Sequence, residues 1–341
     1  MVFPGDIPIT PEPSEIVKRM QQHSKLLAAK DAETIWAMGE RWIVMESALE
    51  AQITLLTMEL AEMGVDVSLQ AVYKLGRYQR LLAQMQEEMT AYNLWAADYV
   101  AQGQMQMGIL GVSHASEAVN LALLQGGASG VGTFFDKLPI SAIELMVGNA
   151  GKGGPVFTLL QENYPMAVEK MTGILINNVA MGIGPLQTAK QMMAGMAGGL
   201  SHALTVARTE QLRVYREASR QQYELSGAVQ KYMRMASKSP ETCALCIALD
   251  GEIYNSKELM SVHPNDRCVM VPIVNGVKPP QWENAKDWLA RQDESVQKQI
   301  LGPGALELWK KGDIELIDLV KKTEHPIWGP SLQRVPLRDL Q

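Results

Sequence analysis

A chain of 341 residues, 47% apolar and 20% charged, can bury a sizeable core and is long enough for two or three compact units. Its formal net charge of −6 argues against a broad nucleic-acid surface, which needs clustered Lys and Arg to displace counterions, so no sequence-specific nucleic-acid binding is expected. An odd count of three cysteines fits a soluble protein of a reducing compartment.

Residues 1–13 hold four prolines and no basic segment ahead of an apolar core, so they read as an extended arm and not as a secretory signal. From Ser14, an N-cap followed by acidic Glu15, a helical pattern runs to about Gly64. Ile35, Met38, Trp42, Met45, Leu49, Ile53, Leu56 and Leu60 step by three and four along one face. After a break at Gly64-Val-Asp66, Ser68 starts a second pattern to about Ala101, with Val72, Leu75, Leu82, Met85, Met89 and Tyr92 in phase. The expectation for residues 14–102 is a long antiparallel helical hairpin. Its stripes are read either as packed on each other or as offered to an external helical partner or a second copy.

Between Gly103 and Leu200 lie 17 of the 28 glycines, with many Met and Ala, and residues 99–135 carry the single charge Glu117. The apolar runs are interrupted by Gly, Gln, Asn and Ser, so no transmembrane helix is expected. Residues 103–200 read as loops and short helices with joints at Gly126-Gly127, Gly130 and Gly151-Lys152-Gly153-Gly154. Gly151-Lys152 is not a phosphate loop, because Met146 stands where the first glycine would fall.

A helical pattern from about Leu200 places Leu204, Leu212, Tyr215 and Ala218 on one face and ends at Ser226-Gly227. Ala228 to Met235 alternates as a strand. All three cysteines then fall in one window: Cys243 and Cys246 as C-x2-C, and, sixteen residues on, His263-x4-Cys268. Soft thiolates with one imidazole suit a closed tetrahedral Zn²⁺. The alternatives are three buried structural cysteines beside an ordinary histidine, or a disulfide. Asp250-Gly251 signals a two-residue hairpin that brings the halves together, and Cys268 to Val274 a strand. Beyond a linker at Pro279-Pro280, helices are expected from Asp287 to Leu301, from Ala305 to a stop at Gly312, and again from Asp313 to Val320.

Several of these motifs, in order, resemble the phage head morphogenesis family, the minor head proteins similar to the F protein of phage Mu. They are Gly184-Pro185-Leu-Gln-Thr-Ala189, Ala207-Arg208-Thr209-Glu210, Thr242-Cys243-Ala-Leu-Cys246, Leu249-Asp250-Gly251 and His263-Pro264-Asn265-Asp266-Arg267-Cys268. Trp288-Leu-Ala-Arg-Gln292 and Leu308-Trp309-Lys310-Lys311-Gly312 extend the resemblance over about residues 182–322. Two departures stand out: Asp266 replaces a cysteine before Arg-Cys, and Ser239-Pro240-Glu241 replaces an Asp and Arg before Thr-Cys. The first leaves Asp266 open as an alternative ligand. The resemblance implies a structural protein of the virion, in the head interior or at the portal vertex, made in the host cytoplasm and partnered by the portal and other head proteins.

The fold expected is mainly α with a small α+β zinc-knuckle domain. Its parts are the arm (1–13), the hairpin (14–102), the Gly/Met/Ala-rich region (103–200), a helix-strand-hairpin zinc unit (201–275) and C-terminal short helices (276–341). The metal set is Cys243, Cys246, His263 and Cys268, with zinc in a structural role. No catalytic set is expected: the deaminase order of His-x-Glu before Pro-Cys-x-x-Cys is absent, as is His-Glu-x-x-His. Arg208 and Glu210, two apart on a helix, point away from each other and are expected to pack against the strand and knuckle. The competing function is a zinc-dependent nuclease or toxin domain on a phage-type scaffold.

Overall fold

The computed structural model describes residues 14–63, 69–127, 136–151 and 154–340. The expected arm of residues 1–13, the break at Gly64-Val-Asp66, the N-cap Ser68 and the joints at Gly130 and Lys152-Gly153 lie outside the described residues. The helices are α1 (Glu15–Met63), α2 (Leu69–Lys74), α3 (Gly76–Gln125), α4 (Ile140–Glu144), α5 (Val156–Leu160), α6 (Asn163–Ala180) and α7 (Pro185–Leu225). There follow β1 (Val229–Met235), α8 (Ala244–Ala248), β2 (Ile253–Asn255) and β3 (Val269–Val274). The chain ends with α9 (Ala285–Ala290), α10 (Glu294–Leu301), α11 (Pro303–Lys311), β4 (Val320–His325) and β5 (Gly329–Arg334). It is a mainly helical protein with small antiparallel sheets.

Two compact units interleave along the sequence. One is built from residues 30–103 and 148–210. Here α1 and α3 run antiparallel, as their cross-links show: Arg77 Nε to Glu59 at 2.7 Å, Gln84 Nε2 to the Ala48 carbonyl at 3.0 Å and Tyr92 OH to the Met38 carbonyl at 3.3 Å. The stripe of Trp42, Met45, Leu49, Ile53, Leu56 and Leu60 is buried, as are Met85, Met89 and Tyr92. What one hairpin leaves over is covered by α6 and α7, which bury Met171, Leu175, Met192 and Met196. Gly199 of α7 fits where a Cβ would stand 2.8 Å from the Trp42 ring and 3.0 Å from the Asn163 carbonyl. Asn163 in turn exchanges two amide hydrogen bonds with Asn93, at 2.6 and 3.1 Å, which satisfies both buried side chains. The Trp42 stripe is therefore core and not an outward face. The most exposed large apolar side chains of α1 are instead Trp36, Ile43 and Val44.

The other unit holds the described residues of 1–29, 104–147 and 211–341. Its largest core joins Ile16, Val17, Met20 and Leu27 of α1 to Met107, Ala115, Ala118 and Val119 of α3, to Tyr215 and Tyr223 of α7, and to the sheet. Here α3 and α7 approach so closely at Gly111 that an added Cβ would lie 2.4 Å from the Tyr215 carbonyl oxygen. The Ser219 hydroxyl donates to the Gly111 carbonyl at 3.0 Å. The sheet has the order β2-β1-β3, with Tyr232 facing Tyr254 on one side and Pro272 on the other.

Several expectations change at the level of elements. The second helix does not stop near Ala101 but runs to Gln125, and Gly108 and Gly111 lie in its interior at close packing contacts and not at ends. The region of residues 103–200 is thus less loop-rich than its glycines suggest, with α6 spanning 18 residues and α7 starting at Pro185 and not Leu200. Proline at the first helical position suits it, since its missing N–H has no partner there in any case. One 18-residue window of α3 is apolar enough to cross a bilayer by length and composition, and half of it is buried, as in the core helix of a soluble protein. The stretch from Asp287 to Leu301 is two helices, broken around Gln292-Asp293. Asp313 to Val320 does not resume as a helix: a 3-10 turn at Leu316–Leu319 leads into the β4-β5 hairpin, in which Thr323 faces Ser331.

Within this unit the His23 and His114 rings stack 3.6 Å apart and almost parallel. His23 Nε2 lies 2.9 Å from Glu117, Arg19 lies 3.2 Å from the same carboxylate, and His114 Nδ1 lies 3.1 Å from the Tyr215 hydroxyl. Burial, then the neighbouring His23, depresses His114 from its ordinary 6.5 to about 4, and burial also lowers His23. A depressed folded value means that the unfolded chain takes up protons first. The stability gained from keeping His114 neutral is full above about pH 6.5, declines as pH falls and is gone by about pH 4. The expected loss over that window is on the order of 3 kcal/mol. Urea denaturation of His114→Phe across the same range is expected to show a flatter pH profile; an unchanged slope would count against the pair as its source.

Candidate metal centre

Each cluster residue is set in place by a different element. Cys243 is the N-cap of α8, in extended conformation, and its sulphur accepts the Cys246 amide at 3.4 Å. This replaces the expected hairpin: the residues before Asp250 form a helical turn, and β2 pairs with β1 instead of with the Cys246 run. Asp250-Gly251 closes that turn. Gly251 takes the left-handed φ of +85°, while the buried Asp250 carboxylate accepts the Ala236 amide (2.8 Å), the Ala285 amide (2.8 Å) and the Trp282 indole (3.0 Å).

His263 stands on a loop held by the C-terminal hairpin. Val262 takes the Leu332 amide at 2.8 Å and gives its own to Pro330 at 3.2 Å, and Leu332 packs with Leu245 and Leu249 of α8. Asn265 then adopts φ +67°, a conformation that asparagine tolerates better than most residues, and the tight turn swings Asp266 inward. Cys268 follows immediately ahead of β3.

The structure places the donors in two groups that share Cys246. Cys243, Cys246 and His263 form one, and Cys246, Asp266 and Cys268 the other, with the donor atoms of each within 4.8 Å of one another. His263 Nε2 lies 3.1 Å from Cys243 Sγ and 3.2 Å from Cys246 Sγ, slightly inside the ~3.5 Å separation that tetrahedral zinc with bonds of about 2.0–2.3 Å imposes. The other ring nitrogen, Nδ1, lies 2.7 Å from the Pro264 carbonyl and donates to it. That bond fixes the tautomer that presents a bare Nε2 to the sulphurs, as metal-bound histidines require. The three cysteines are unlinked. Cys246 and Cys268 are buried, and Cys243 and His263 half-buried. Soft donors, a preset imidazole and separations of this size are suited to holding a metal ion.

Asp266 is the residue whose place the sequence left open. Its Oδ1 accepts the Cys268 amide at 2.8 Å and lies 3.7 Å from Cys246 Sγ; its Oδ2 is bound by Arg234. Burial pushes this carboxyl up, but Arg234, Arg216 and His263 outweigh it and hold Asp266 well below the usual carboxylate range. The Cys243 thiol is lowered, chiefly by its hydrogen bond with Cys246, while the thiols of Cys246 (hydrogen bond to Cys243) and Cys268 (burial) are raised. A dication would reverse that rise, since it binds thiolates.

Two residues here escaped the sequence reading. Arg216, on the α7 face next to Tyr215, donates to the carbonyls of Asp266 (2.9 Å) and Cys268 (3.5 Å). Arg234, in β1, is fully buried and donates to the Ser261 carbonyl at 2.6 Å as well as to Asp266. Arg208, expected to pack against the strand and knuckle, pairs with Asp31 of α1 at 2.6 Å.

Residues 169–271 match the model of the family described as Phage Mu protein F like protein. The match supports the resemblance to that family, and it contains every cysteine, His263, Asp266 and both arginines. No curated protein and no solved structure gives a match.

Proposed function

We propose that the chain is a structural minor head protein that acts in phage head morphogenesis, attaches to the portal and is built into the virion. One observation carries this reading: the Phage Mu F-like match spans the whole Cys/His cluster with β1, β2 and the start of β3. In this reading Cys243, Cys246, His263 and Cys268 hold one structural zinc ion. Asp266 is assigned a place outside the set, with Oδ1 engaged by the Cys268 amide and Oδ2 by Arg234, and four protein donors leave no open position for water or substrate. The chain is accordingly assigned assembly and not catalysis. Contact with the portal or with neighbouring copies falls to the helices of residues 14–101, through exposed Trp36, Ile43 and Val44.

Mass spectrometry of purified heads and proheads tests this. The chain is expected in both, crosslinked to the portal, and Trp36→Glu combined with Ile43→Glu is expected to lower its incorporation several-fold with helicity unchanged by circular dichroism. Its absence from heads and proheads alike would sink the proposal. Normal incorporation of the double variant would remove the α1 face from it.

A further inference from the structure

Around the sulphurs lie two buried arginines and one buried carboxylate. Arg234 and Asp266 are sealed from solvent and Arg216 is 6% exposed. Arg234 Nη2 spans Asp266 and the Cys246 sulphur, which it approaches to 3.6 Å. Arg216 spends its Nη1 donor on carbonyl oxygens, which carry no net charge. Two carboxylates of the same unit have partners of their own: Glu217 pairs with Arg220 at 2.8 Å, and Glu252 with Lys322.

With protonated thiols this pocket would hold two guanidinium charges against one carboxylate. One buried cation would then lack a counter-charge, an arrangement proteins seldom keep. A divalent cation bound by three thiolates and a neutral imidazole carries one excess negative charge, which together with Asp266 matches the two arginines. We infer that Arg216 and Arg234 are the counter-charges of a metal–trithiolate centre, and that Asp266 orients this centre through hydrogen bonds without ligating the metal. The inference rests on reading the cluster as a closed divalent-metal site. It adds that the second arginine is there for the thiolates.

The test uses the full-length chain, Zn²⁺ affinity from competition with a chromophoric chelator, and Co²⁺ substitution, whose sulphur-to-metal absorption band reports thiolate ligation. Arg216→Met, which keeps length and removes charge, is expected to weaken Zn²⁺ binding by about 10–100-fold, the range for partners outside the ligand set. Arg216→Lys, which keeps the charge, is expected to recover most of that loss. Asp266→Asn, which removes a negative charge beside the thiolates, is expected to leave affinity equal or tighter, with the cobalt band unchanged. Wild-type affinity in Arg216→Met, or a loss in Arg216→Lys equal to that in Arg216→Met, overturns the counter-charge role. If Arg216→Met does not fold, the sign for Asp266→Asn decides: a tenfold or larger drop makes Asp266 a ligand and defeats the inference. A wild-type chain that takes up neither Zn²⁺ nor Co²⁺ defeats the metal reading itself, a result distinct from loaded wild type with indifferent variants.

Discussion

Removal of the metal is expected to loosen the segment from about residue 229 to residue 275, because the cluster joins pieces that are short on their own. Cys243 caps and Cys246 sits in a five-residue helix, His263 lies on a loop, and Cys268 stands just ahead of a six-residue strand. Without a cross-link these pieces are held by a three-stranded sheet, by the core it shares with α1, α3 and α7, and by the bonds of Arg216 and Arg234. Structural zinc in comparable small units contributes an apparent ~10 kcal/mol or more, which exceeds what a domain of this size keeps in reserve. Purified protein is therefore expected to carry one zinc per chain. A strong chelator, or Cys246→Ser, is expected to abolish hydrogen-exchange protection in β1 and β3 while leaving that of residues 30–63 and 76–103 largely intact. Zn²⁺ added back should restore protection to the chelated wild type and not to Cys246→Ser. Chelated protein with unchanged exchange would show that the cluster is ordinary buried thiols.

That these side chains cluster was legible in sequence, because Cys243, Cys246, His263 and Cys268 stand out by type and short spacing, and the fold brings their donor atoms together in two groups that share Cys246. The helices of the N-terminal half were legible for a related reason. Stripes such as Met38, Trp42, Met45 and Leu49 repeat over many turns, and all four prove buried. What that stripe faces was not legible, since an apolar face looks the same whether it meets another molecule or α6 and α7 of its own chain. Glycine misled in the opposite direction: the glycine-rich stretch from residue 103 read as loops and short helices, yet Gly108 and Gly111 permit close helix contact, at Gly111 against a backbone oxygen 2.4 Å from where a Cβ would lie. The C-terminal hairpin failed for want of length. Val320–His325 and Gly329–Arg334 are six residues each, and only the fold shows that Ser331 of β5 also bridges Val262, distant in sequence. Arg216 and Arg234 were hidden because a lone arginine in a helix or strand is ordinarily a solvated residue, and only the fold reveals that these two have no solvent.

Arg234→Met is expected to be the most damaging single change away from the thiols, at about 3–5 kcal/mol, because it strips the counter-ion from a carboxylate that stays buried. Arg234 sits in the middle strand, where its backbone is tied to Glu252 and Gly251 at 2.8 Å each, so its side chain cannot swing outward to relieve the change. The Ser261 carbonyl and one side of the Cys246 sulphur also lose their donor. If the cost comes mainly from the stranded charge, then Asp266→Asn in the Arg234→Met background should recover part of it. An amide in that place still offers Cys268 an acceptor oxygen and carries no charge to leave unpaired. The double variant is thus expected to be more stable than Arg234→Met alone, a coupling of at least ~1 kcal/mol that two independent sites would not show. Urea denaturation of the zinc-loaded wild type, both single variants and the double variant gives the comparison. Additive losses would mean that Arg234 is held for its packing and its bond to Ser261, and that the ion pair with Asp266 adds no stability.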